Sequence, residues 1–549
     1  MPLRYAVLPP LVGLMMVVAV VAAVQTSPDR VAVAATLPEP DGVVQTVDAQ
    51  LAADWAAEGW AAPAVADDLT LLRRLSLALH GTVPSLEEIR AFEADGQPRR
   101  IERWTRTMLT DERFGRYWSE RLARPMVGTA TEPFAIFRRD RFTDWLAERL
   151  RTDQPWDQTV RHLIADEGGW TDTPSVNFIT SQLSDDQIDR NALAARTVRV
   201  FLGQRIDCAQ CHDHPFDRWK QGEFEGLAAC YGQSGLSIGG LTDKADRVFE
   251  VQDRETLEMQ PVDPAFPFGA DWVDPSVRPR QQLADWVTHA DNRRFDRAIV
   301  NRTWTLLLGR PLVPGRPVDD LPDPVDGAEA VDGAASETPM LDALADDFRD
   351  GDRRLHRLVE AITATAAFRA SSQTELPADD IAAAEEVWAV RPLVRLRPEQ
   401  MIGSMLQAGS IRTIDRDSHW FVRFLRLVRE NDFVKAYGDA GEDELAARSA
   451  TIPQALLRMN GQLARELSEA TPLSASGRVS MLRLPAEQTV ETAYLVCLTR
   501  RPTLEEKAFF AAAIEEAAEA DATDQDVRSH AIEDLFWTLF NSPEFSWIR

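Results

Sequence analysis

From residue 66 onward the apolar positions recur at helical spacing rather than in strand alternation. Asp67 and Asp68 precede Leu69, Leu72, Leu75, Leu77 and Leu79, which predicts a capped amphipathic helix closed by Gly81. Ser85 opens a second helix, with Glu88 at the capping-box spacing and Ile89 and Phe92 on one face. The pattern continues over residues 100–109, 112–122 and 140–150, where Trp104, Phe114, Trp118, Phe142 and Trp145 supply bulk. Residues 186–202 predict a further helix stopped by Gly203. Between 231 and 278 Gly and Pro interrupt short runs such as 247–251, which predicts loops with one or two strands. Helical spacing resumes over 280–287, 294–308, 340–348, 355–368, 398–406, 418–429, 453–470, 490–498, 504–520 and 529–540, with an acidic surface loop expected at 319–337. The expected fold is mainly α: two helical domains, 66–232 and 279–549, joined by a loop-rich connector at 233–278.

The N-terminus departs from this pattern. From Ala6 to Val24 the chain is uncharged and almost wholly apolar, and Arg4 precedes it. Nineteen such residues sit between a signal-peptide core and a full membrane span of about 20. Small-residue cleavage patterns follow at Val21-Ala22-Ala23 and Ala32-Val33-Ala34. Residues 1–34 are therefore expected to be a signal peptide or a membrane anchor, residues 35–65 an Ala-rich linker, and the body extracytoplasmic, in the periplasm or cell envelope. Any membrane attachment is expected through this segment alone.

Charge narrows the partners. Sixty Lys and Arg against 87 Asp and Glu give a formal net charge of −27, so no broad footprint for phosphate backbones is expected and nucleic-acid binding is disfavoured. Four cysteines in 549 residues are too few for a disulfide scaffold. Cys497, in an apolar run, reads as a core thiol.

The chemistry lies in residues 203–230. Cys208-Ala209-Gln210-Cys211-His212 is a C-x-x-C-H, the attachment pattern for c-type haem. Two thiols three apart on one turn can meet the two vinyl groups of a porphyrin, and the next imidazole can bind the iron axially. Covalent attachment of this kind occurs outside the cytoplasmic membrane, in accord with the export segment. Three other readings stay open. Cys208 and Cys211 could form a redox disulfide. With His212 or His214 they could hold zinc or non-haem iron. The segment could also be a structural turn. Asp213 and Asp217 stand where they could orient the imidazoles. Met126, Met259 and His162 are the candidates for a sixth iron ligand, each more simply explained by packing or surface placement.

Several long stretches carry a family resemblance. Residues 69–92, 111–123 and 201–229, the last containing Cys-Ala-Gln-Cys-His-Asp-His-Pro, resemble the planctomycete cytochrome c-like domain family. Residues 278–313 and 355–372, and more weakly 391–406, 452–464 and 532–545, resemble the companion domain of unknown function usually fused behind it. The resemblance implies haem c at Cys208, Cys211 and His212, with Asp213, His214 and Pro215 completing the motif.

No G-x-S-x-G, H-E-x-x-H, P-loop or G-x-G-x-x-G is present. Asn301 and Arg302, which stand out with Asp319 and Asp320 beside the 309–317 loop, read as groups that cap or bridge helices in the core, the other reading being that they line a cleft with the acidic loop; Arg369, Ser371 and Ser372 read as a helix end. The expected function is an exported c-type haem protein in electron transfer or redox chemistry, with a redox partner or envelope component as its partner. The alternative is a metal-stapled structural or binding module of the envelope, linked to polysaccharide processing.

Overall fold

The computed structural model describes residues 39–410 and 452–548, apart from 131–135, 185–186, 216–217, 254–255, 325–336, 473 and 521–524, together with residues 438, 441 and 445. The apolar segment at 6–24 and the helix expected at 418–429 lie outside the described residues. No helix among the described residues is long and apolar enough to cross a membrane.

The chain is mainly α, as its spacing predicts. Asp67 caps the Asp68–His80 helix by accepting from the Leu69 and Thr70 amides, and Gly81 ends it in the left-handed region at φ 70°. Ser85 and Glu88 form the reciprocal capping box of Leu86–Ala94. The helices Arg100–Leu109 and Glu112–Val127 pack on Asp68–His80, which is buried along most of its length. Trp118, fully buried, donates its indole N–H to the Ala78 carbonyl at 3.0 Å. That bond satisfies the polar atom the large ring carries into the core.

Several elements differ from the sequence expectation. The stretch read as linker contains the Asp41–Glu58 helix, which buries Val43, Val47, Leu51 and Trp55. Those four positions, each four apart, make one narrow stripe that the surrounding Ala, Gln and Asp dilute. The 186–202 helix starts only at Arg190, capped by Asp189, because Gln187–Ile188 pairs with Leu183–Ser184 as a short hairpin. Its last turn, Val198–Leu202, widens to π geometry before Gly203. Among its described residues the connector holds four strands, as the antiparallel hairpins Ser234–Ser237/Gly240–Asp243 and Phe249–Gln252/Met259–Val262.

Pro40–Arg549 form one compact unit. Its two helical halves are bound through buried arginines. Arg73 donates to the Cys497 carbonyl at 3.0 Å and the Phe545 carbonyl at 3.4 Å. Arg74 donates to the Phe368 and Ala370 carbonyls at 2.8 and 2.7 Å. Gln400 reaches the Leu77 carbonyl at 2.9 Å. Gly403 lets the backbones come close here: a Cβ in its place would meet the Gly81 carbonyl oxygen at 2.8 Å. Arg280 ties the connector in, bonding Asp243 at 2.7 Å and the Ile164 and Asp166 carbonyls at 2.9 Å. Each guanidinium spreads its donors over several fixed acceptors, which is how a buried charge is tolerated.

Candidate functional site

The cysteine segment leaves the core abruptly. Phe201 and Leu202 are buried, and Gly203 turns the chain at φ 66° beside Ala298 and Leu321. Ile206 and Ala209 point back into the core as two apolar pegs. Between and after them the chain makes a 3-10 turn, Asp207–Gln210, in which the Cys211 and His212 amides both donate to the Cys208 carbonyl, at 3.2 and 3.4 Å. Cys208, Cys211, His212 and Asp213 are consequently exposed while the pegs are not.

The donors on this turn are chemically available. Both thiols are free. The His212 ring donates from Nδ1 to the Asp213 carbonyl at 2.7 Å. That bond places the proton on Nδ1 and leaves the Nε2 lone pair outward, the tautomer an axial or metal-binding imidazole requires. Asp213 also accepts the Gln221 amide at 3.0 Å, and the His214 amide donates to the Trp219 carbonyl at 2.8 Å. Together they close the loop onto the Gln221–Ala229 helix. His214 is half-buried, and Asp217 lies outside the described residues. Trp219 is buried at the edge of an aromatic group, 6.5 Å from Phe268, which in turn lies 4.8 Å from Trp286 and 5.8 Å from Trp272. Trp219 thus sets the C-terminal end of the loop among aromatic rings.

The two remaining thiols differ sharply. Cys230 and Cys497 are fully buried, and burial pushes both thiols up, away from thiolate formation.

Other residues nominated by the sequence are accounted for individually. Met126 is buried, and its carbonyl accepts from Arg196 at 3.1 Å; Met259 is exposed on its hairpin. The His162 ring is held 3.1 Å from the Asp166 carboxylate. Arg369 pairs with Glu102 at 3.1 Å, Ser371 accepts the Gln373 amide, and Ser372 accepts from Arg74. Asn301 bridges helix to loop, donating to the Val318 carbonyl and accepting the Leu312 amide, each at 2.9 Å. Arg302 is buried and Asp320 half-buried.

Asp319 has a larger part than the sequence suggested. It is buried and accepts from Arg205 at 2.8 and 3.2 Å, with Arg199 3.6 Å away. Asp323 accepts from Gln204 and from Arg294, the latter at 3.0 Å, and lies 3.8 Å from Arg218. Arg218 and Arg294 both sit over the Phe268 ring. The Leu321 amide donates to the Gly203 carbonyl at 2.7 Å. Both flanks of the cysteine loop are thus attached to residues 319–323. Local spacing carries no sign of this, since more than 100 residues separate the loop flanks from residues 319–323.

The donor set fits a c-type haem: two free, exposed thiols three residues apart and an imidazole with Nε2 available, all on one turn. For a bare metal ion, no group of three or more His, Cys, Asp or Glu converges on a metal-sized point among the described residues.

The chain is mainly α, and two of its segments match families of unknown function. Residues 46–235 match the family described as PSCyt2, protein of unknown function (DUF1549), and residues 279–419 match the family described as PSD1, protein of unknown function (DUF1553). No functionally curated protein and no solved structure matches the chain.

Proposed function

We propose that the Cys208–His212 turn is a covalent attachment site for haem c, and that the chain is an exported, envelope-associated protein of electron transfer or redox chemistry. The observation that carries this reading is the exposure of both thiols and the His212 imidazole on a single turn, with Nδ1 already engaged by the Asp213 carbonyl. Cys208 and Cys211 would hold the haem through thioethers, and His212 would hold its iron through Nε2. Bound there, the haem would supply one-electron redox chemistry. Asp213 holds the imidazole in the required tautomer, and the buried Ile206 and Ala209 side chains anchor the turn while its thiols stay exposed. The apolar segment from Ala6 to Val24 supports export, because such thioethers are made outside the cytoplasmic membrane.

The intact mass of the chain, produced in a host that matures c-type cytochromes, tests the attachment. We expect the mass to exceed that of the processed polypeptide by one haem, and the increment to be absent in the Cys208→Ala/Cys211→Ala variant. A polypeptide mass alone, with a control cytochrome maturing normally, rejects covalent haem. Stoichiometric zinc or iron in that same sample would instead support a metal-stapled envelope module.

A further inference from the structure

We propose that Arg190 and Arg247 form a binding site for a phosphate group, a dianion held between their two guanidiniums. The site uses no residue of the cysteine turn, so it goes beyond the haem reading and does not depend on it.

Two guanidiniums converge on one backbone oxygen. Arg190 opens the Arg190–Thr197 helix, and its Nη2 donates to the Ser234 carbonyl at 3.4 Å. Arg247, just before the Phe249–Gln252 strand, donates from Nη1 to the same oxygen at 3.0 Å. A carbonyl oxygen has two lone pairs and can accept both. The two charges are nonetheless of one sign, and neither arginine has a carboxylate within 4.0 Å among the described residues. Two neighbouring acids are engaged elsewhere. Asp189 accepts the Ala192 amide at 2.9 Å, and Asp243, paired across the hairpin with Ser234, accepts from Arg280 at 2.7 Å.

The contact is short of acceptors as well as of negative charge. Arg190 Nε is buried without a hydrogen-bond partner, and so is the Ser234 hydroxyl. Arg190 also stands at the positive end of its helix, where an anion is favoured and a cation is not. Burial, and after it the Arg247 charge, push the Arg190 pKa down, with Asp189 opposing them. Tying the hairpin to the helix needs one donor on the Ser234 carbonyl. The second like charge is what a bound anion explains.

The backbone makes room for the pair. Gly235 is buried in the Ser234–Ser237 strand, and a Cβ in its place would meet Arg247 Nη1 at 2.6 Å and Cζ at 2.9 Å, with no other residue nearer than 3.4 Å. Glycine therefore lets the guanidinium lie against the strand. Arg247 is exposed and Arg190 half-buried, so a solute can reach them. Both nitrogens lie within reach of one oxygen, which is close enough for a single oxyanion to touch both forks. Two guanidinium charges match a phosphate dianion better than a single carboxylate. On a chain of net charge −27, which repels free anions on average, holding one takes a local cluster of donors such as this.

Inorganic phosphate is the probe. The full-length chain is melted in chloride buffer at about pH 8, where phosphate is doubly charged, with phosphate raised to about 20 mM at constant ionic strength. We expect a saturable rise in melting temperature for the wild type. Arg247→Met should move the half-point of that rise to at least about tenfold higher phosphate. Gly235→Ala should do the same with the net charge unchanged, because it displaces the guanidinium without removing it. Should Gly235→Ala fail to fold, Arg190→Met supplies the second variant. The proposal is overturned by no saturable rise in the wild type, by an unchanged half-point in the folded variants, or by an equal rise with acetate at the same ionic strength. None of these outcomes involves haem, so the two readings fail separately.

Discussion

Replacing Glu399 with Gln is expected to lower stability by about 3 kcal/mol, the cost of breaking a buried ion pair from one side. Glu399 opens the Pro398–Ala408 helix and receives two arginines from Glu112–Val127: Arg124 at 2.5 Å and Arg121 at 3.2 Å. The side chains of both arginines are almost fully buried. Burial by itself would raise the Glu399 pKa, but the two cations outweigh it and hold the carboxyl below its usual range. An amide keeps the shape and loses the charge, so the guanidiniums are left facing a neutral group. Urea unfolding of the variant should show the loss as a shifted midpoint. The exposed pair between Arg501 and Glu93 provides the contrast: Glu93→Gln should cost less than about 0.5 kcal/mol. Equal effects from the two substitutions would contradict this account of how the halves are joined.

The second large effect is a pH dependence centred on His80. This ring is fully buried at the end of the Asp68–His80 helix; Nε2 donates to the Met108 carbonyl at 3.1 Å, and Nδ1 is buried without a hydrogen-bond partner. Burial, with help from the nearby Arg113 cation, pushes its pKa down to about 4. The folded protein then binds fewer protons than the unfolded chain between pH 6.5 and 4. Stability accordingly falls as pH drops through that window and levels off below it, for a total of roughly 3 kcal/mol. The neighbouring acids act lower. Burial opposes ionisation of Asp111, but the Arg113 hydrogen bond and the surrounding charges bring it to about 2, so its contribution is lost only in stronger acid. Melting temperatures of the wild type and His80→Gln from pH 7 to 4.5 check this. The wild-type curve should fall more steeply, and parallel curves would remove His80 as the cause.

These two sites also show what the sequence could and could not disclose. Helix existence was legible because leucines such as Leu72, Leu75 and Leu79 repeat at the helical period and Asp67, Ser85 and Gly81 mark the ends. The cysteine turn was legible because its chemistry is confined to five consecutive residues. The buried arginines were not. Arg73 and Arg74 interrupt an apolar helix face, and their acceptors near residues 370, 497 and 545 leave no trace in local spacing. Glu399 and Asp319 look like ordinary surface acids until the fold brings arginines to them from hundreds or scores of residues away. The Asp41–Glu58 helix was hidden for a different reason: its buried stripe is one residue wide, so composition outweighed periodicity.

The central claim is the covalent haem at Cys208 and Cys211, and a pyridine haemochrome spectrum of the purified, denatured chain tests it most directly. The chain should be exported in a host with c-type haem maturation, beside Cys208→Ala/Cys211→Ala. We predict a c-type haemochrome from the wild type that survives denaturation and is absent from the double variant. A chain without haem, from cells in which a control cytochrome matures, would contradict the account.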